Sequence, residues 1–188
     1  MLVYFKTRSH SSYLISLASL LFLISFIESS GSDTVVPKLG DEVCVQGYVM
    51  DFLCILKGRL LDNNKVETLK GPEKHSYHCL LDVPKCTAGP FEILVEPRNK
   101  EGLYGRGWRV DDEGLNQLIA LGRRIGWCST CSGQDDSKKY GFRATVHGVV
   151  SSTGDETVPP LLEVKSVSDA SSTDCGDIIY SSPNVLYQ

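Results

Sequence analysis

Residues 43–50, VCVQGYVM, alternate along the chain, with Val43, Val45, Gly47 and Val49 on one side and Cys44, Gln46, Tyr48 and Met50 on the other. A period of two marks a strand with one buried face. It returns in FEILVEP, where Phe91, Ile93 and Val95 oppose Glu92 and Glu96. It returns again in FRATVHGVV, where Phe142, Ala144, Val146, Gly148 and Val150 oppose Arg143, Thr145, His147 and Val149. GLYGRGWRVDD reads as a partner that pairs back on FEILVEP, and LLEVKSV as the last strand. Gly47, in mid-strand, predicts a bend or bulge of the kind that lets a sheet curl.

Helical spacing is read in one stretch, where Leu115, Leu118, Ile119, Gly122 and Ile125 form a stripe. Asp111 or Asp112 caps its start, and Arg123, Arg124 and Gly126 close it. Between the first two strands lies a polar, turn-rich segment with turns at Asp62-Asn63-Asn64 and Gly71-Pro72. Five short strands with one helix before the closing pair predict a mainly β fold. The expected architecture is a small five-stranded OB-like Greek-key barrel with one α-helix and disulfide-tied loops.

The N-terminus bounds the compartment. Lys6 and Arg8 precede the apolar run Tyr13 to Ile27, and small residues follow near Gly31. A basic flank, a short apolar core and a small-residue exit describe a secretory signal peptide. The run is shorter than the ~20 residues that span a bilayer. The expected layout is a signal peptide at 1–31, a linker at 32–41, the barrel domain at 42–168 and a Ser-rich tail at 169–188. The expected location is outside the cell or in the lumen of the secretory pathway, with no membrane span after cleavage.

Composition excludes some partners. The formal net charge is −4 and the basic residues are scattered, whereas a nucleic-acid binder needs a positive face. No Gly-x-Ser-x-Gly elbow, phosphate-cradling glycine loop or His-Glu-x-x-His occurs, so nothing marks the chain as an enzyme. The partner expected is an unknown protein or a small ligand, and no cofactor is expected apart from copper or zinc as the alternative.

All seven cysteines, Cys44, Cys54, Cys79, Cys86, Cys128, Cys131 and Cys175, follow the signal. In an exported chain each is first a disulfide candidate. Seven is odd, which leaves one thiol over and opens a route to a disulfide-linked dimer. Cys44 paired with Cys175 pins the tail to the barrel; Cys54 paired with Cys79 or Cys86 ties the first loop.

Cys128 and Cys131 have the spacing of a redox dithiol. They follow the helix rather than open one, so its dipole opposes thiolate formation. One Cys-x-x-Cys also falls short of a four-thiolate zinc site. The reading is a structural staple, with redox catalysis as the alternative.

EKHSYHC offers other chemistry. His75 and His78, three apart, with Glu73 as an oxygen donor and His147 from a strand, form a candidate copper or zinc set. Tyr104, Trp108 and Trp127 are candidates for an aromatic ligand platform; core packing accounts for them equally well.

The runs GYVMDFLC, HCLLDVPKC, FEILVEP and FRATVHGVV with LLEVKSV resemble small exported OB-like proteins. These carry a Gly-x-Val-x-Asp-x-x-Cys first strand, a cysteine-bearing loop and a closing strand pair. The resemblance covers Cys44 to Val167 and brings no activity with it; the signal peptide, the cysteine count and the alternating strands together predict a secreted, disulfide-stabilised binding or structural module. The chain departs from the compact pattern in the inserts at Leu56–Tyr77 and Gly126–Lys139, and the terminal cysteine signatures of netrin-like modules are absent.

Overall fold

The computed structural model describes residues 37–97, 100–126, 140–171 and 175. The predicted signal peptide, Trp127, the Cys128–Cys131 loop and the tail beyond 171 other than Cys175 lie outside the described residues. Five strands form one mixed sheet: β1 (Glu42–Asp51), β2 (Phe91–Val95), β3 (Gly105–Val110), β4 (Arg143–Ser152) and β5 (Leu161–Asp169). Neighbours run antiparallel except β3 and β5, which pair in parallel. The order β1-β2-β3-β5-β4 returns to β1 and closes the barrel. Closure removes the exposed edges that a sheet otherwise offers to other chains.

β1 makes the closure because it serves two neighbours. Residues 42–48 pair with β4 and residues 48–51 with β2. Gly47 sits at this handover, where a Cβ would lie 2.1 Å from the Leu94 carbonyl oxygen. The expected bend or bulge is therefore a close strand crossing. The register shifts fall instead in β2–β3 between Ile93 and Leu94, and in β4–β5 at two places.

The alternating residues fill the interior: Val43, Val45, Val49, Phe91, Ile93, Trp108, Ala144, Val146, Val150, Leu162 and Val164 are buried in one cluster. One helix-length element closes over it. This helix, Asp112–Ile125, is capped by Asp111, whose Oδ1 accepts from Gly114 N at 2.9 Å and from Val164 N at 3.3 Å. The cap thus starts the helix and fastens it to β5. Its buried face is Gly114, Leu118, Leu121 and Gly122, so Gly114 and Leu121 join the predicted stripe, while Ile125 is 37% exposed.

The expectation of a single helix is corrected in the β1–β2 connection. That segment holds α1 (Phe52–Lys57), a 3-10 turn (Pro72–Lys74), α2 (Tyr77–Asp82) and α3 (Pro84–Thr87), which makes the Asp112–Ile125 helix α4. β1 stops at Asp51 because Asp51 Oδ1 accepts the Cys54 N–H at 2.9 Å and caps α1. Gly58 ends α1 in the left-handed region at φ 65°, where glycine carries no Cβ penalty. α1 and the loop after it pack on the side of β1 and β2 opposite Val49 and Ile93, through a smaller cluster of Met50, Cys54, Ile55, Leu60 and Leu94, while α2 sends Leu80 and Leu81 into the main barrel cluster.

Cys44 and Cys175 are bridged, 131 residues apart in sequence, as the reading of the two domain ends anticipates. Cys54, Cys79 and Cys86 are buried free thiols, so the expected bridge from Cys54 to Cys79 or Cys86 is not formed. Among the described residues, no helix is long and apolar enough to cross a membrane.

Candidate functional site

The insert carries the densest chemistry among the described residues. Asp51 arrives as the last residue of β1, and its two oxygens divide their work. Oδ1 caps α1, and Oδ2 lies 2.8 Å from His75 Nε2. The cap fixes the spacing of the next group, since Cys54 is the third residue of the helix that Asp51 starts. Its Sγ lies 4.0 Å from His75 Nε2 and accepts the Leu61 N–H at 3.2 Å. Thr68 Oγ1 donates to the Cys54 carbonyl at 2.7 Å and holds the turn in place.

The other ring nitrogen of His75 meets a second carboxylate. Nδ1 lies 3.0 Å from Asp62 Oδ1, and Asp62 Oδ2 accepts the Ser76 N–H at 2.7 Å. Ser76 repeats the logic of Asp51: its Oγ accepts the Cys79 N–H at 3.1 Å and caps α2. Asp51-x-x-Cys54 and Ser76-x-x-Cys79 are thus the same cap-to-third-residue spacing, each delivering one thiol beside His75. Cys86, from α3, lies 3.6 Å from Cys79 Sγ and hydrogen-bonds the Cys54 thiol.

Electrostatics follows from the burial. The side chains of Asp51 and His75 have no exposure, and Asp62 has 23%. Burial opposes an imidazolium, but hydrogen bonds to Asp51 and Asp62 outweigh it and lift the His75 pKa to about 11. Burial likewise opposes ionised Asp62, and its hydrogen bond to His75 prevails, lowering it to about 2. Asp51 is lowered by the same contest, with help from the Cys54 N–H. The Cys54 thiol is raised by its hydrogen bond with Cys86 and by burial.

Two sets of donors converge on His75. Asp51, Cys54 and His75, all buried, offer ligand atoms within 4.8 Å of one another, and so do Asp62, His75 and Cys79. A carboxylate, a thiolate and a neutral imidazole carry two negative charges, which a divalent cation balances. When a metal takes one nitrogen of a ligating histidine, the other nitrogen usually donates to a carboxylate, which fixes ring and tautomer. His75 has that second carboxylate on either side.

Of the predicted metal set, only His75 enters either group. His78 is exposed and faces Asp82, with Nδ1 3.2 Å from Oδ2. The Ser76 cap separates the two histidines: His75 precedes it in a turn, while His78 lies inside α2. Glu73 is partly buried in the 3-10 turn and belongs to neither group. His147 is on β4, with Nε2 3.4 Å from Cys44 Sγ of the Cys44–Cys175 bridge, so it joins the tether rather than the insert.

The aromatic platform is also divided. Trp108 is fully buried in the barrel interior, whereas Tyr104 packs edge-on against Tyr48 with ring centroids 5.4 Å apart. Trp127, Cys128 and Cys131 lie outside the described residues. Asp51 and Asp62 are the carboxylates that sequence reasoning misses; the cap-to-cysteine spacing that Ser76 and Cys79 repeat is a signal for Asp51 alone. No known protein family, curated protein or solved structure matches the chain.

Proposed function

We propose that the chain is an exported, disulfide-tied binding module on an OB-type barrel, and that the acid–histidine–thiol cluster of its insert binds one borderline divalent metal of the zinc class. The strand order β1-β2-β3-β5-β4, with α4 between β3 and β4, supports the OB-type reading. The basic flank and apolar run at the N-terminus and the Cys44–Cys175 bridge support export.

The observation that carries the metal reading is the convergence of Asp51, Cys54 and His75, three donors of different chemistry, fully buried and within reach of one ion. Mixed nitrogen, sulfur and oxygen donors suit Zn2+, which takes four ligands in tetrahedral geometry and leaves a position open when the protein supplies three. Asp62 then serves as the carboxylate behind the histidine. In the metal-free chain a proton on each His75 nitrogen holds the same frame together.

The test is metal content after stripping and reloading with Zn2+, with Co2+ as a spectroscopic probe under reducing conditions. One ion per chain is expected, with a sulfur-to-cobalt charge-transfer band. His75→Gln abolishes binding, and His78→Gln leaves it intact. A wild-type protein that takes up no metal, or a His75→Gln protein that binds as wild type, overturns the reading. The cobalt spectrum of the wild type decides the ligand chemistry even where His75→Gln does not fold.

A further inference from the structure

We propose that Cys86 is an exchange thiol that chooses, by the bridge it makes, which side of His75 carries the metal. The inference rests on the metal reading above and concerns its regulation. The two donor groups share His75 but use opposite ring nitrogens and different cysteines. A neutral imidazole has one lone pair to give, so one side is filled at a time. Cys86 belongs to neither group, is fully buried, and touches the cysteine of each: Cys79 at 3.6 Å and Cys54 through a thiol hydrogen bond.

Three thiols allow one bridge. When Cys79 and Cys86 close, Cys79 leaves the Asp62 group and Asp51, Cys54 and His75 remain whole. When Cys54 and Cys86 close, the reverse holds, and Asp62, His75 and Cys79 remain. Each one-bridge form therefore keeps one cysteine beside His75, and the site survives the oxidising compartment that seven cysteines in an exported chain imply.

The chemistry balances. A small disulfide such as oxidised glutathione accepts two electrons and two protons from the pair of thiols and leaves as two glutathione thiols. Exchange between the two forms needs no oxidant. Cys54 sulfur attacks the Cys86 sulfur, the Cys54–Cys86 bond forms, the Cys79–Cys86 bond breaks, and the proton Cys54 gives up ends on the departing Cys79 thiol.

The test compares zinc stoichiometry in reduced and glutathione-oxidised protein, with alkylation and peptide mapping of the bridges. Wild type is expected to hold one zinc per chain in both states, and its bridge always includes Cys86. Cys54→Ser and Cys79→Ser are each expected to bind zinc when reduced and to lose it on oxidation, because the remaining pair consumes the last donor thiol. Cys86→Ser forms no bridge in this cluster and binds zinc in both states. A Cys54–Cys79 bridge, loss of zinc from singly bridged wild type, or zinc retained by both oxidised single variants overturns the proposal. Absence of zinc from reduced wild type removes the underlying metal reading instead, and the bridge map still reports whether Cys86 is the shared partner. The wild-type measurements stand alone where a variant fails to fold.

Discussion

The barrel and the insert are stabilised by different physics. In the barrel, alternating apolar residues from five strands close around Trp108, Phe91 and Ile93, and the chain's own pleat decides what is inside. On the opposite face of β2 and β3 a buried ion pair joins the strands, with Arg106 donating from two nitrogens to the two Glu92 oxygens at 2.8 Å. In the insert, α1 has a small apolar cluster of its own and α2 shares the barrel's through Leu80 and Leu81, and helices of six, six and four residues do the building. Helices that short are not stable alone. They persist because side-chain caps start α1 and α2, Pro84 opens α3, and buried contacts fix what each meets. The region with the weaker apolar core is therefore the one that assembles ligand atoms.

The sharpest way to break that contrast is to remove the imidazole. His75→Ala leaves Asp51 with no cationic partner in a site without solvent, and removing one member of a buried ion pair costs ~3–5 kcal/mol. Urea unfolding of the metal-free protein is the measurement. An effect near zero would mean that the cluster is solvated and the insert is held by packing after all.

The same cluster sets a pH window. His75 rises from 6.5 to about 11 on folding, so its contribution is complete below pH 6.5 and drains as pH climbs toward 11. Asp62 falls from 3.8 to about 2, so its contribution is present above pH 3.8 and is lost as pH falls toward 2. The stability difference between wild type and His75→Gln, both metal-free, is expected to be largest and flat between those limits. A difference that grows above pH 7 would contradict the imidazolium.

The tether comes next in size. Cys44→Ser removes a bridge spanning 131 residues, and losses of ~2–4 kcal/mol are typical for such crosslinks. The barrel should bear this cost, while zinc uptake by the insert stays unchanged. Coupled loss of both would show that the two regions unfold together. Gly47→Ala tests the barrel from within. Its methyl would meet the Leu94 carbonyl oxygen at 2.1 Å, and overpacking of this kind costs ~1–3 kcal/mol.

The two regions also differ in how much of them the sequence discloses. The strands are legible because burial on one face writes a period of two, and α4 because fourteen residues give a stripe room to repeat. The insert's helices are too short to show a period, so their residues read as turns and loop. Asp51 is the last residue of β1, just past the alternating run, and Asp62 reads as a turn residue beside two asparagines. Their convergence on His75 spans 24 and 13 residues and is a tertiary fact. His75 is legible as a candidate by residue type, but the structure sets it beside Asp51 and Asp62 rather than His78, because spacing of three gives a common face only when both residues share one helix.

The smallest prediction bears most directly on why the cysteines lie where they do. Ser76 Oγ caps α2 through the Cys79 N–H, and the Ser76 N–H is itself held by Asp62. Ser76→Ala removes the side-chain cap and keeps the backbone contact, so the expected loss is ~1 kcal/mol. Ser76→Gly, which spares the helix start most of that penalty, should recover part of it. If capping is what positions the thiol, reactivity of Cys79 toward an alkylating reagent under native conditions should rise in Ser76→Ala while that of Cys54, whose cap is Asp51, stays unchanged. Equal rises at both cysteines would mean that the insert opens as one unit, and its thiols would then be placed by the His75 cluster rather than by their separate helix starts.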